Sequence, residues 1–276
     1  MVTATTKAAK AVIKKGSSAK AKPAKAAAAK SAAAKPAAPK KAAAAKPAAP
    51  KKSAVPSKPE RLEMFRRLAE YHSDAHCELD HRNAFELLCA TVLSAQSTDV
   101  AVNKLTPALF ERYPTAADMA KAKPEDIEAL ISRIGMYRQK TKSLLALAEG
   151  IVTNHGGEVP RTLEELTKLR GVGRKTANVV LGVAFGTPEG VVVDTHVQRI
   201  SQRLGWTKND EPITIEQDLC ALLPKSEWDH ASHVLIFHGR RVCKAIKPDC
   251  EACPVNDICP SAFDAELVGR KAGRAR

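Results

Sequence analysis

The stretch Leu169-Arg-Gly-Val-Gly-Arg-Lys-Thr-Ala177 joins two segments that both have helical periodicity. Gly171 and Gly173 allow the backbone to turn sharply between them, because glycine adopts positive φ values at little cost. A turn of this kind exposes successive N–H groups at the start of the next helix, where an anion such as phosphate can bind. The stretch therefore indicates either a phosphate-binding helical hairpin or a simple joint between two helices.

Lys175 lies in the first turn of the second helix of this hairpin. The helix is apolar on nearly every side from Ala177 to Phe185, and we expect it to be buried. The positive end of the helix dipole and partial desolvation both disfavour an ammonium group at residue 175. A neutral amine is the form that carries out nucleophilic Schiff-base chemistry. These residues alone leave two readings open, a nucleophile or a charged lysine that contacts phosphate.

A second informative stretch is Val191-Val-Val-Asp-Thr-His196, in which Asp194 lies nineteen residues after Lys175. Asp194 stands just before a predicted helix, a position where aspartate is most often the N-cap. The functional alternative is a carboxylate at the mouth of a cleft, placed to accept a proton or to stabilise positive charge. His196 is a candidate for contact with nucleic acid, although a lone histidine is more often structural.

Helical periodicity dominates residues 60–276 and predicts an all-α fold. The run Val191–Val193 is strand-like but too short to build a sheet. The predicted helices are Arg61–Tyr71, Phe85–Ala95, Val100–Tyr113, Glu125–Ile134, Gln139–His155, Leu163–Leu169, Arg174–Phe185, His196–Leu204, Ile213–Leu223 and His230–His238.

Four cysteines near the C-terminus, Cys243, Cys250, Cys253 and Cys259, are separated by six, two and five residues. The chain has seven cysteines, an odd number, and no apolar signal segment, so metal ligation is a better interpretation than disulfides. Structural zinc sites usually pair two short Cys-x-x-Cys knuckles, and this run has one. The uneven gaps favour a 4Fe–4S cluster, with zinc as the alternative.

Residues 1–59 consist mainly of Ala, Lys and Pro, with fifteen lysines and neither arginine nor acidic residues. Frequent prolines and few large apolar side chains predict a disordered tail. The lysines are too frequent for a membrane span. The whole chain has a net charge of +14, whereas residues 60–276 carry 29 basic and 30 acidic side chains. We expect the tail to bind a polyanion such as nucleic acid, the alternative being a passive extension.

Four segments in the same order resemble endonuclease III, a family of helix-hairpin-helix DNA glycosylases and abasic-site lyases. They are the hairpin, the stretch Val193–His196, the stretch Leu93-Ser-Ala-Gln-Ser-Thr-Asp99 and the cysteine run. The resemblance covers about residues 60–260 and implies a bound 4Fe–4S cluster. It leaves out the tail and residues 261–276, which we expect to be flexible.

The resemblance also implies two helical domains with a substrate cleft between them. Residues 83–192 are expected to form a six-helix domain that carries the hairpin. Residues 60–82 and 193–260 are expected to form the iron–sulfur-cluster domain.

Site residues follow from the same resemblance, position by position. Lys175 is implied as the nucleophile and Asp194 as its carboxylate partner. Gln96 matches the glutamine that fills the gap left by an extruded base, and Met136 stands where the family usually has a leucine wedge. Arg170 replaces a proline usual in the hairpin, which adds a cation there. Further DNA contacts are expected at Gly171, Val172, Gly173, Arg174, Thr176, His196, Lys244 and Lys247.

The implied function is base excision repair of oxidised pyrimidines or abasic sites in duplex DNA, through a Schiff base and β-elimination. We expect a monomer in the cytoplasm, associated with the nucleoid and not with a membrane. An adenine-mismatch glycosylase would carry a glutamate where Val92 stands and would lack Lys175. A histone-like DNA-binding protein would suit the tail but needs neither Lys175 nor Asp194. An iron–sulfur redox sensor is a third alternative.

Overall fold

The computed structural model describes residues 55–268, and every regular element in this range is a helix. The all-α prediction is confirmed. The helices are α1 (Lys58–Tyr71), α2 (Ala84–Ser94), α3 (Asp99–Asn103), α4 (Thr106–Arg112), α5 (Ala116–Ala120), α6 (Pro124–Ile131), α7 (Tyr137–His155), α8 (Leu163–Lys168), α9 (Arg174–Val183), α10 (Thr195–Arg203), α11 (Pro212–Leu222) and α12 (Trp228–Arg241), with 3-10 turns at Lys225–Glu227 and Ala265–Leu267. Nearly all of the predicted tail and the last residues of the C-terminal stretch lie outside the described residues.

Side chains placed just before the helices fix where several of them begin. Ser57 and Glu60 form a reciprocal capping box at α1, in which each side chain binds the other residue's backbone N–H. Asn83 and Thr162 accept hydrogen bonds from the first turns of α2 and α8. Such caps satisfy N–H groups that have no partner within the helix, so the local sequence determines these boundaries.

Two predictions about the local structure were wrong. The predicted helix Val100–Tyr113 is two helices, α3 and α4, because Pro107 in a continuous helix would clash with the carbonyl of Asn103. The sequence pattern also missed the short helix α5, which Thr115 caps. The run Val191–Val193 forms no strand, as expected of a run too short to build a sheet, and the N–H of Val192 donates to the hydroxyl of Ser232 at 2.9 Å.

The described residues bury their apolar side chains in two cores. The first core is built by α2 to α9, and Leu88, Leu144 and Leu181 are fully buried within it. The second core joins α1 to α10, α11 and α12. Leu79 belongs to the first core and Val191 to the second, which differs slightly from the predicted domain boundaries. The division into domains at those boundaries stays a prediction.

Helices α9 and α12 approach each other closely where the two cores meet. A Cβ atom on Gly182 of α9 would lie only 2.3 Å from the carboxylate of Asp229 on α12, so a side chain does not fit there. This close approach brings the hairpin helix against the second core. No helix within residues 55–268 is long and apolar enough to span a bilayer.

Candidate functional site

The glycine hairpin begins helix α9 with unpaired backbone amides. Gly171 has a φ of 83°, which favours glycine, whereas Gly173 has an extended backbone and precedes the helix. No side chain caps α9, so its first N–H groups have no acceptor from a capping residue. Val172 points into the first core and anchors the turn. The hairpin thus presents amides at a helix N-terminus, an arrangement that binds anions.

A cleft of about 330 Å³ lies between the two cores and brings together Lys175, Asp194 and Gln96. Lys175 reaches it from the first turn of α9, and Thr176 lines it as well. Asp194 enters from the other core, at the start of α10. Three residues predicted from separate sequence motifs therefore share one cleft. The other lining residues include His76, Glu78, Asp99, Asp229, His233 and Arg240.

The two carboxylate oxygens of Asp194 have different surroundings. Its Oδ1 atom accepts hydrogen bonds from the backbone N–H groups of His196 and Val197, both at 2.8 Å, so Asp194 is the N-cap of α10. Its Oδ2 atom forms no hydrogen bond within residues 55–268. Because the same residue lines the cleft, the N-cap reading and the catalytic reading are compatible.

Gln96 and Met136 both have a left-handed backbone, with φ values of 55° and 56°. Gln96 lies in the turn between α2 and α3, and Met136 directly precedes α7. Both side chains are exposed, and Met136 retains 49% of its accessible surface. Positive φ is uncommon for residues other than glycine, and such strained positions are often functional.

Arg240 is a cleft residue that sequence reasoning missed. It pairs with Glu78 and, at 3.0 Å, with Asp99, so a cation of α12 ties the second core to the first beside Lys175. Asp99 ends the stretch Leu93–Asp99, but nothing in the sequence could link it to a residue 141 positions away. An ion pair between segments so far apart can be identified only once the tertiary structure is known.

Two residues predicted to contact DNA are held by other parts of the protein. The guanidinium of Arg174 forms a bidentate ion pair with the buried carboxylate of Glu216 on α11, with distances of 2.8 and 2.9 Å. The ring of His196 is half-buried against Arg199, and burial lowers its pKa. Only the side chain of Arg174 is engaged in this ion pair, and its backbone N–H still belongs to the first turn of α9 at the hairpin. Lys244 and Lys247 are exposed in the loop after α12.

The four C-terminal cysteines line the walls of one pocket beside α12, and none forms a disulfide. Within residues 55–268, no three His, Cys, Asp or Glu side chains are arranged to hold a metal ion. The thiols of all four cysteines line the same pocket, which is the ligand number of an iron–sulfur cube.

Polar N–H groups or a ring nitrogen lie close to three of the four sulfur atoms. The guanidinium of Arg203 lies 3.4 Å from the Sγ of Cys243, and the N–H of Phe263 lies 3.3 Å from that of Cys250. A ring nitrogen of His238 is 3.7 Å from the Sγ of Cys253. Such donors stabilise sulfur that carries negative charge, as it does in iron thiolates.

Burial explains why these thiols need a metal to ionise. It raises the pKa of Cys253 and of Cys259 to about 12, so without a bound metal both would be protonated at neutral pH. Iron binding deprotonates such thiols and offsets the cost of burying the thiolate. The residues present therefore fit an iron–sulfur cluster.

Comparisons with known proteins agree with this arrangement. Residues 89–225 match the HhH-GPD superfamily of base excision DNA repair proteins, and residues 243–259 match the iron–sulfur binding domain of endonuclease III. Endonuclease III of Synechocystis sp. is 50% identical over 207 residues, which cover 75% of this chain and 94% of that protein. Endonuclease III of Bacillus subtilis is 45% identical over 70% of this chain and 88% of that protein. A solved endonuclease III–DNA covalent intermediate matches with a TM-score of 0.72 and 46% identity, covering 76% of this chain and 98% of that one.

The match to the HhH-GPD superfamily identifies the chain as a base excision DNA repair protein of the helix-hairpin-helix class, and the hairpin and the cleft between the two cores agree with that class. Within that class the chain belongs to the endonuclease III family. It is a DNA glycosylase with abasic-site lyase activity, and its cofactor is a 4Fe–4S cluster.

Loss of one cysteine from the pocket should remove the cluster. We expect purified protein to be yellow-brown, to absorb near 400 nm and to contain about four iron atoms per chain, and Cys253→Ser to lose colour and iron. Absorbance and iron analysis of anaerobically prepared protein measure both. Cys220→Ser is the matched control, because Cys220 is free and lies outside the pocket. Colourless wild-type protein with stoichiometric zinc would contradict the assignment.

Proposed function

We propose that this enzyme removes oxidised pyrimidines from duplex DNA through a Schiff base on Lys175 and then cleaves the strand by β-elimination. The observation that carries the proposal is that Lys175 and Asp194 line one cleft from opposite cores. The relative that forms a covalent intermediate with DNA supports the covalent route.

Lys175 acts as the nucleophile in this mechanism. Its Nζ attacks C1′ of the sugar, the bond from C1′ to the base nitrogen breaks, and the base leaves with its electron pair and gains a proton. Nζ then loses a proton, the C1′–O4′ bond of the sugar ring breaks, and O4′ takes up a proton as the nitrogen lone pair forms a protonated imine at C1′. This imine acidifies the proton on C2′. Removal of that proton expels the 3′ phosphate, and water then releases the lysine.

Asp194 assists from the other side of the cleft. Its Oδ1 is occupied by the helix N–H groups, which keep the carboxylate oriented. Its Oδ2 can accept a proton from the attacking amine or stabilise positive charge on the sugar. The N-cap interactions thus position the charge that the reaction needs.

Gln96 and Met136 act on the duplex and not on the bond that breaks. A damaged base stacks poorly and flips out at a reduced cost, leaving a gap in the helix. We propose that Gln96 fills this gap and that the exposed Met136 wedges between neighbouring bases. The estranged-adenine complex of the related protein supports displacement of the opposite base.

The backbone amides of the hairpin and the cluster loop supply phosphate contacts. Gly171, Val172 and Gly173 place the first N–H groups of α9 toward an anion. Lys244 and Lys247 lie on the loop that begins at Cys243, so the cluster fixes cations that can meet phosphate. We propose that the 4Fe–4S cluster holds this loop and takes no part in the bond-breaking steps, and that the enzyme acts as a monomer.

The substrate is tested with duplexes that differ at a single base. Thymine glycol, an abasic site, an oxidised purine, an adenine mismatch and an undamaged base are each placed at one position and treated with enzyme and borohydride. We expect cleavage and a covalent complex with thymine glycol and with an abasic site. Preference for the adenine mismatch would instead favour the rival glycosylase, although Val92 stands where that family carries a glutamate.

Removal of the lysine-rich tail should weaken non-specific DNA binding. Deleting residues 1–54 leaves Ser57, which caps α1, and removes most of the fifteen tail lysines. Each lysine that displaces a counterion contributes a slope of about −0.9 to log K against log salt on duplex DNA, so the dependence should flatten. Titration of undamaged duplex at several salt concentrations measures this. Identical slopes would mean a passive extension, and single-turnover cleavage at saturating enzyme should stay unchanged.

A further inference from the structure

The turns that carry Gln96 and Met136 need support from the rest of the protein. A left-handed backbone is unfavourable for a residue with a Cβ atom and persists only where the surroundings hold it. Neither side chain supplies this support itself, because both are exposed. The restraint must come from residues next to them.

Lys140 contacts both turns at once. Its backbone N–H donates to the carbonyl of Met136 at 3.0 Å, as part of the first turn of α7. Its side-chain Nζ donates to the hydroxyl of Ser97 at 2.8 Å, and Ser97 directly follows Gln96. A single residue therefore links the turn before α7 to the turn after α2.

Burying a lysine at position 140 costs free energy, because its ammonium group loses contact with water. Only 4% of its surface is exposed, and burial lowers the pKa of Lys140. It forms no ion pair within residues 55–268, and it stands near the positive end of the α7 dipole. An aliphatic side chain would fill the same volume at less cost, but it could not donate to Ser97. The directional hydrogen bond is what the lysine contributes.

We propose that Lys140 is a positioning residue that fixes Gln96 and Met136 relative to each other, so that both enter the duplex together. The inference rests on the proposed function, in which these two side chains displace bases. It has a specific consequence, because single-stranded DNA has no opposite base and needs neither wedge nor gap filler. Loss of the bond from Lys140 to Ser97 should therefore impair reactions on duplex DNA alone.

Lys140→Met tests this by keeping the length of the side chain and removing the donor. We expect single-turnover excision from a thymine glycol duplex to slow roughly 10- to 100-fold, as for a displaced positioning group. Cleavage of a single-stranded abasic oligonucleotide should stay within about twofold of wild type, since placement of Lys175 is unchanged. Lys142→Met is the matched control, because Lys142 is exposed two residues further along α7.

A fluorescent base reports the positioning directly. With 2-aminopurine opposite the thymine glycol, wild-type binding should raise its emission as the base unstacks, and Lys140→Met should lose most of that rise. Ser97→Ala removes the acceptor and should give the same defect, with the double variant no worse than either single one. Should Lys140→Met fail to fold, Ser97→Ala decides the question in its place.

Two results would overturn the inference in folded protein. One is wild-type excision from duplex DNA by both variants, and the other is an equal loss on duplex and single-stranded substrates, which indicates general structural damage. Failure of the proposed function would give a different result. In that case even wild-type protein would form no borohydride-trapped complex with the single-stranded abasic oligonucleotide. That result would remove the basis of the inference as well.

Discussion

Lys175→Gln should abolish the borohydride-trapped complex with DNA and lower strand cleavage by at least about 10³-fold, because it removes the attacking amine. Lys175 is exposed at the start of α9 and lines the cleft, so glutamine should fit without disturbing the core. Trapping on abasic-site and thymine glycol duplexes, followed by single-turnover kinetics at saturating enzyme, measures both effects.

The alternative role for Lys175, a charged contact to phosphate, gives a different result. Loss of one such contact weakens binding to all sequences and makes the slope of log K against log salt shallower by about 0.9. Chemistry at saturating enzyme would then survive. Lys168→Gln is the matched control, since Lys168 is an exposed lysine of α8 that pairs with Glu164. Crosslinking of Lys175→Gln at the wild-type level would refute the nucleophile assignment.

Asp194→Asn should slow base excision roughly 10²- to 10⁴-fold while DNA binding and stability change little. Asparagine is as good an N-cap as aspartate, so its carbonyl oxygen can accept the hydrogen bonds from His196 and Val197. The amide NH₂ then occupies the position of Oδ2. A group that accepted protons is replaced by a donor with no charge, which reverses the interaction with the developing positive charge.

Thermal unfolding and single-turnover excision separate the two roles of Asp194. Unchanged melting with slow excision indicates a catalytic carboxylate whose cap survives the substitution. Unchanged excision would mean that Asp194 serves the helix alone. Asp126→Asn is the control, because Asp126 lies on the surface of α6 and pairs with Arg112, away from the cleft.

The cluster site shows how much a local pattern can predict. The spacing of Cys243, Cys250, Cys253 and Cys259 indicated a shared iron site, and the structure places all four around one pocket. Ligands within seventeen residues are close whatever the rest of the chain does. The guanidinium that faces the Sγ of Cys243 comes from Arg203 on α10, 40 residues away, and no local pattern predicts that contact.

The helices and the hairpin were also readable from the sequence, because periodicity, caps and glycines act over a few residues. Pro107 is a local signal of the same kind, because it divides the predicted helix Val100–Tyr113 into α3 and α4. The sequence predicts one of the two roles of Asp194 but not the other. Its role as N-cap follows from its neighbours, whereas its place in the cleft depends on packing.

Only the tertiary structure decided how the separate motifs meet. It places Lys175, Asp194 and Gln96 in one cleft, pairs Arg174 with Glu216, and links Lys140 to Ser97. These contacts join residues tens of positions apart, so no local pattern determines them. They exist because burial of apolar side chains in two cores fixes the helices against one another, and the polar groups at the meeting surfaces pair accordingly. The sequence by itself determined the helices, the cysteine run and the candidate catalytic residues, and packing determined the site that they form.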